Sequence, residues 1–114
     1  GREPQTLQEH QTLHRSLYFW QHETDDPLRI VAHITEEADE VCTEVWLWLK
    51  SADEKEKEQR FENIKDELAD TIAWVLTLAN RLNMTPFDEF VWRQFSYCCD
   101  KCQSEQCECK EIIF

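Results

Sequence analysis

Apolar side chains recur at three- and four-residue steps along most of the chain, which is the spacing of one face of an α-helix. Four segments show this pattern, at residues 5–20, 27–50, 61–82 and 86–97. Polar or Pro-containing stretches separate them, and the charged stretch 51–59 is either a connection or the solvated first turns of the third helix. The pattern predicts an all-α fold, a four-helix bundle.

Two helix starts carry recognisable capping residues. Asp26 followed by Pro27 predicts an N-cap and the first residue of the second helix. Thr85 and Pro86 repeat this arrangement before the fourth helix, with Asp88 at the capping-box position. These signals fix where two of the four helices should begin.

Composition narrows the class of protein. The 114 residues include 24 acidic and 12 basic side chains, a net charge of −12, which opposes binding to nucleic acid or to anionic membranes. The single Gly excludes Gly-rich phosphate loops. No apolar run approaches the roughly 18 residues that span a bilayer, and no signal-peptide pattern is present. We therefore expect a cytoplasmic protein.

The second helix carries an acidic side chain on its apolar face. Five apolar residues share one stripe, namely Ile30, Ile34, Ala38, Val41 and Val45. At about 100° per residue, Glu37 falls inside this stripe, Glu40 on its flank and Glu36 further away. A buried carboxylate without a partner costs several kcal/mol, so acids converging on one face imply a compensating cation.

The third helix offers a second acidic pair. Glu67 and Asp70 are three residues apart and therefore lie on one side of the helix. If the second and third helices pack antiparallel, the two pairs bring four carboxylates together. Hard oxygen ligands in that number suit Mg²⁺ or Mn²⁺. The competing interpretation is a solvated acidic face, which is common on helices.

The acids also carry a family resemblance. "EEADE" at residues 36–40, twenty-six residues and then "ELAD" at 67–70 resemble the EExxE…ExxD signature of the MazG-like all-α nucleoside triphosphate pyrophosphohydrolases. The resemblance extends over about residues 15–95. It implies a Mg²⁺ enzyme that cleaves a nucleoside triphosphate between its α and β phosphates and removes unwanted nucleotides. The metal ligands that it implies are Glu37, Glu40, Glu67 and Asp70.

Further roles follow for side chains near the acids. A carboxylate that is not fully used as a ligand can accept a proton from the attacking water, and we expect Glu36 or Glu40 to be this base. Aromatic rings and basic groups would contact the nucleotide, and the candidates are Trp20, Arg29, Trp48 and Arg93. Helical phase places Trp48 at the site or in the core beside it, and Trp46 at a subunit interface or on the surface.

Cysteines mark a separate tail. We predict a catalytic domain over residues 1–97 and a Cys-rich tail over 98–114. Within the tail Cys99, Cys102, Cys107 and Cys109 read as C-x2-C-x4-C-x-C. Four thiols so closely spaced suit a tetrahedral Zn²⁺ site, with Cys98 as a substitute ligand. The alternative is a disordered tail that is open to oxidation.

The sequence therefore predicts a Mg²⁺-dependent nucleotide pyrophosphohydrolase that acts as a homodimer or homotetramer. We expect a nucleoside triphosphate as substrate, and neither nucleic acid nor a membrane as partner. A second hypothesis is a zinc-stapled acidic helical interaction protein without catalysis. A third is a Cys-rich redox or metal-storage protein.

Overall fold

The computed structural model describes residues 3–95 and 99–109 of the chain. Within these ranges the chain forms five α-helices, namely α1 Leu7–Leu17, α2 Phe19–Thr24, α3 Pro27–Leu49, α4 Glu54–Arg81 and α5 Phe87–Phe95. The predicted all-α fold and the Cys-rich tail are confirmed. None of the helices in the described ranges is both long and apolar enough to cross a bilayer.

The first predicted helix is divided in two. The chain leaves helical dihedral angles at Tyr18 (φ −123°, ψ 45°), so residues 5–20 do not form one continuous helix. The division brings α2 back beside α1, where Arg15 Nη1 lies 2.5 Å from Glu23 Oε1. Arg15 also donates to the carbonyl of Asn80 on α4 (2.9 Å). One arginine thus holds three helices together, which the spacing of apolar residues did not indicate.

The helix starts agree in part with the predictions. Asp26 caps α3 by accepting from the amide of Leu28 (2.9 Å), and Pro27 is the first residue, as predicted. α4 begins at Glu54 rather than Phe61, because Asp53 accepts from the amide of Glu56 (2.8 Å). The charged stretch is therefore the solvated first turns of the helix, one of the two alternatives.

α5 begins one residue later than predicted, at Phe87 rather than Pro86. Its first amide donates to the side chain of Gln11 (3.1 Å). A side chain distant in sequence therefore accepts from the first amide of this helix. The predicted cap by Thr85 stays a prediction. The predicted end at Tyr97 lies outside the described residues.

α3 and α4 form an antiparallel helical hairpin, and the other helices pack around its far end. Cross-helix contacts run in opposite directions along the two helices: Trp48 meets Phe61 near the connection, whereas His33 meets Trp74 far from it. α1 and α2 pack on α4, and α5 packs on α1. This antiparallel arrangement sets which acids face each other.

A buried polar lock joins α1 to the end of the hairpin. Gln11 and Asn80 are both buried. Gln11 Nε2 donates to the carbonyl of Met84 (2.9 Å), and Asn80 Nδ2 donates to the carbonyl of Gln11 (3.0 Å). Because a buried amide without partners would destabilise the fold, these bonds make the docking position of α1 specific.

Two apolar stripes remain exposed in the single chain. The first, called the α3 stripe here, consists of Leu28, Val31, Trp46 and Leu49. Three of its members are 58–77 % exposed. The second, the α4 stripe, consists of Phe61, Leu68 and Ile72, each about half exposed. The predicted apolar face of α4 therefore reaches the core only at its C-terminal end, where Ala79 is buried.

Candidate metal centre

Three carboxylates from the hairpin converge at its middle. Glu37 on α3 and Glu67 and Asp70 on α4 each offer one oxygen atom within 4.8 Å of the other two. The antiparallel packing makes this possible, because a residue later on α3 lies opposite one earlier on α4. The spacing of three residues then places Glu67 and Asp70 on the side of α4 that faces Glu37. These side chains are called the acid cluster.

The acid cluster has the donor set of a hard divalent cation. The Oε2 atoms of Glu37 and Glu67 are buried and have no hydrogen-bond partner. Asp70 is exposed, so the cluster opens to solvent on one side. Buried carboxylate oxygens without donors are costly unless a cation neutralises them. The residues therefore fit Mg²⁺ or Mn²⁺, which prefer carboxylate oxygens and keep several waters.

The other two predicted acids lie beside the cluster. Glu40 follows Glu37 by one turn and interacts with Glu67, which influences its pKa more than any other group. Glu36 is exposed, and its Oε2 lies 4.0 Å from Nδ1 of His33. The structure thus brings Glu40 next to the cluster and turns Glu36 towards His33. Their catalytic roles stay predictions.

Side-chain interactions among the acids, desolvation and charge repulsion together raise the pKa values of Glu37, Glu40 and Glu67. The pKa of Glu40 is raised chiefly by its side-chain interaction with Glu67, and then by desolvation. For Glu37 the interaction with Glu67 lowers the pKa, but desolvation and the charges of Glu40 and Asp70 outweigh it, so the pKa is raised. For Glu67 the interaction with Glu40 lowers the pKa, but the interaction with Glu37 and desolvation outweigh it, so the pKa is raised. Without a cation, the folded chain holds protons here more tightly than the unfolded chain does.

This difference predicts an unusual pH dependence of stability in the metal-free protein. A raised pKa in the folded state stabilises it most below the ordinary value of 4.5, and this stability is lost as the pH rises through the folded pKa. Between about pH 5 and 7.5, the urea midpoint of the metal-free wild type should fall more steeply than that of Glu67→Gln. Both proteins are measured with a chelator present.

The matched control for this experiment is Asp66→Asn. Asp66 is exposed and directly precedes Glu67 on α4, so the variant removes one negative charge from the same helix outside the cluster. The urea midpoint of this variant should fall with pH as steeply as that of the wild type. Equal slopes for wild type and Glu67→Gln would show that the cluster does not raise these pKa values.

An aromatic cavity adjoins the acid cluster through Asp70. A cavity of about 220 Å³ is lined by Tyr18, Asp70, Ala73, Trp74 and Thr77. Trp74 is also stacked on His33, with ring centroids 4.2 Å apart and an angle of 7° between the planes. This stack holds the indole across the hairpin. The sequence pattern did not indicate Tyr18 or Thr77 as cavity residues, although Thr77 follows Asp70 by two turns on the same helix face.

The predicted aromatic contacts lie elsewhere in the single chain. Trp48 packs against Phe61 with ring centroids 6.4 Å apart, and Lys57 Nζ lies 5.1 Å from its ring. Eight residues separate it from Glu40, or about 12 Å along the helix axis. Trp20 on α2 is exposed. The proposed substrate contacts of both tryptophans stay predictions, whereas Trp46 is exposed as helical phase indicates.

The two predicted arginines are engaged with acids outside the cluster. Arg29 forms an ion pair with the buried carboxylate of Asp25, one turn earlier in the chain. Arg93 on α5 lies 3.9 Å from Glu89 and covers the ring of Phe90. Their proposed contacts with phosphate stay predictions.

The tail brings its predicted thiols together. One sulfur from each of Cys99, Cys102, Cys107 and Cys109 lies within 4.8 Å of the others. The pKa of Cys102 is lowered to about 6, chiefly by a hydrogen bond from the amide of Glu108. Hydrogen bonding with Cys107 raises the pKa of Cys109 to about 12. The substitute ligand Cys98 lies outside the described residues.

Comparison with protein families identifies the helical hairpin. The family model for the MazG nucleotide pyrophosphohydrolase domain matches residues 25–90. A comparison with curated proteins and with solved structures gave no match. The matched segment is more than half of the 114 residues and contains α3, α4 and the acid cluster. The chain therefore belongs to the MazG nucleotide pyrophosphohydrolase domain family.

Proposed function

We propose that the protein hydrolyses a nucleoside triphosphate between its α and β phosphates with the help of Mg²⁺, or of Mn²⁺ in its place. The products are a nucleoside monophosphate and pyrophosphate, a reaction suited to removing unwanted nucleotides. The observation that carries this proposal is the pair of buried, unpartnered carboxylate oxygens on Glu37 and Glu67 beside Asp70. Family membership supplies the reaction class.

The acid cluster holds the metal in this proposal. Glu37, Glu67 and Asp70 supply oxygen ligands from two sides, and Glu40 adds a fourth carboxylate one turn from Glu37. When bound, Mg²⁺ supplies the positive charge that neutralises phosphate oxygens and acidifies a nearby water. The chain itself repels a triphosphate, because its net charge is −12.

We assign the general base to Glu40. Its carboxyl lies one turn from Glu37 and interacts with Glu67, so it is placed to accept a proton from a water beside the acid cluster. Glu36 remains the alternative base, although its carboxylate is exposed and directed towards His33. The base accepts the proton of the water that attacks the α-phosphorus.

The aromatic cavity beside Asp70 is proposed to hold the nucleobase. Its volume of about 220 Å³ is below the roughly 300–1,000 Å³ of pockets that enclose a whole drug-sized ligand. It therefore suits a planar base, with the sugar and phosphates outside towards the acids. Trp74, held in place by His33, offers a stacking surface at the wall that Thr77 also lines.

We further propose that the protein is a homodimer joined through the α3 stripe. Leu28, Trp46 and Leu49 are each more than half exposed, although the chain has few fully buried apolar side chains among the described residues. Large apolar side chains left exposed at both ends of one helix favour an interaction surface there. Self-association would bury it without recruiting another protein.

The reaction is tested by incubating the full chain with each ribo- and deoxyribonucleoside triphosphate and measuring pyrophosphate. We expect pyrophosphate release with Mg²⁺ or Mn²⁺, none with a chelator, and recovery when Mg²⁺ is restored. In water enriched in heavy oxygen, the label should enter the monophosphate, because water attacks the α-phosphorus. Release of single phosphates, or label in pyrophosphate, would contradict the proposed bond cleavage.

Failure with every triphosphate would favour a non-catalytic interaction protein stapled by zinc. Calorimetry of Mg²⁺ binding to the acid cluster then distinguishes an enzyme whose substrate was not tested from a protein that binds no metal there. Binding without turnover would mean that the substrate was absent from the panel. If the protein shows neither Mg²⁺ binding nor turnover, the acids are only a solvated face of the helices.

A further inference from the structure

The first half of the tail is a tight turn that places two thiols side by side. The amide of Cys99 donates to the carbonyl of Ser104 (2.8 Å), and the amide of Gln103 donates back to the carbonyl of Cys99 (2.9 Å). Gln103 has a φ of 62°, a left-handed conformation that an L-residue adopts at a small cost. The turn reverses the chain directly after Cys102, so Cys99 and Cys102 point to one side.

The second half returns two more thiols to the same place. The four sulfur atoms all lie within 4.8 Å of one another, and those of Cys99 and Cys109 are 4.0 Å apart. Four sulfurs bound to one Zn²⁺ at about 2.3 Å in a tetrahedron are about 3.8 Å apart. A disulfide would bring two sulfurs to about 2.0 Å. The observed spacing matches coordination, and the four described thiols are free.

Backbone amides also point at the sulfurs. The amide of Glu108 donates to Sγ of Cys102 (3.4 Å), and the amide of Cys109 donates to Sγ of Cys107 (3.3 Å). Such donors offset part of the negative charge that four thiolates bring together. They also orient the side chains that carry the sulfurs, in the way that surrounding hydrogen bonds orient metal ligands.

The turn is attached to the helical domain by a side-chain contact. Gln94 near the end of α5 donates through Nε2 to Oδ2 of Asp100 (2.5 Å). Asp100 directly follows Cys99, so the position of the thiol cluster is linked to the last turn of α5. Ordering of the tail would therefore be transmitted to that helix.

We propose that Cys99, Cys102, Cys107 and Cys109 bind one structural Zn²⁺ that folds the tail against α5. With all four positions taken by protein thiolates, the ion has no open position for substrate or water, so its role is structural. The site is independent of the acid cluster, because thiolates select Zn²⁺ whereas carboxylates select Mg²⁺ or Mn²⁺. Its presence or absence can therefore be measured without reference to hydrolysis.

The test is the metal content of the full chain, purified under reducing conditions without chelator. Elemental analysis and native mass spectrometry should find about one zinc per chain. Replacing the bound ion by Co²⁺ should give the visible absorption of a tetrahedral cobalt–thiolate site. Cys102→Ser and Cys107→Ser should each lower the zinc content several-fold and speed proteolysis of the tail.

Cys42→Ser is the matched control, since this thiol lies on α3 and outside the cluster. It should keep the wild-type zinc content. The helical signal in circular dichroism and Mg²⁺-dependent pyrophosphate release should change little in all three variants. Protein without zinc, protein with disulfides among these thiols despite reductant, or unchanged zinc content in both ligand variants would overturn the proposal.

Discussion

Replacing Asp70 by Asn, or Glu37 by Gln, is expected to lower kcat for pyrophosphate release by at least about a hundredfold. Each change removes one of the three carboxylates that lie within 4.8 Å of each other, while the amide keeps nearly the same shape. The helical content should stay unchanged. The metal-free variants should also resist urea better than the wild type, because one charge is removed from a repelling group.

Two acids that lie outside the cluster provide matched controls. Asp39→Asn on α3 and Asp66→Asn on α4 remove the same charge from exposed positions on the same two helices. Both should keep kcat within about twofold of the wild type. Mg²⁺ titration by calorimetry should show weak binding in the two cluster variants and wild-type binding in the two controls, as expected for a lost metal ligand. Wild-type turnover in both cluster variants is the outcome that rejects the assignment.

If the protein forms the proposed homodimer, replacing Trp46 by Asp is expected to convert it to a monomer. The indole lies in the α3 stripe and is 58 % exposed in the single chain, and a buried charge at a subunit interface costs several kcal/mol. The mass measured by light scattering should fall by about half at micromolar concentration. The unfolding midpoint should fall with it, because the freed apolar surface is no longer buried.

Gln59→Asp is the control for this change, because it adds the same charge to an exposed polar position of α4. It should keep the mass of the wild type. A wild type that is monomeric at all concentrations would refute the dimer. An unchanged mass for Trp46→Asp in a dimeric wild type would move the interface to another surface, of which the α4 stripe is the first candidate.

The sequence predicted the helices well wherever an apolar face or a cap specifies them. Asp26 and Pro27 fixed the start of α3 through a local hydrogen bond that the sequence alone implies. The start of α4 was left open, because Glu54–Arg60 are solvated and show no apolar period. The break at Tyr18 was missed because the apolar pattern continues across it, and the contacts of Arg15 with Glu23 and Asn80 that accompany the break are not encoded in that pattern.

The sequence predicted that Glu37, Glu67 and Asp70 come together, because residues three apart share a helix face and antiparallel packing brings the two helices' acids opposite each other. Their role as metal ligands stays a prediction. The cavity beside them was not found, because Tyr18 reaches it from a different helix boundary. Helical phase correctly placed Trp46 on the surface. Phase gives the direction of a side chain around the helix, however, and not its distance from the acid cluster along the helix axis. Trp48 therefore packs against Phe61 near the connection, about 12 Å along the axis from Glu40.

The lock between Gln11 and Asn80 has a consequence for the order in which the chain folds. Its hydrogen bonds join residues 69–76 positions apart, whereas those between Glu44 and α4 span 16–19. Bringing Gln11 to the end of the hairpin closes the longer loop and therefore costs more chain entropy. The contacts within the hairpin can form before this loop closes. The acid cluster lies entirely on the hairpin, so its carboxylates can meet before α1 docks. A cation present during folding would then favour the hairpin as an early, partly ordered species.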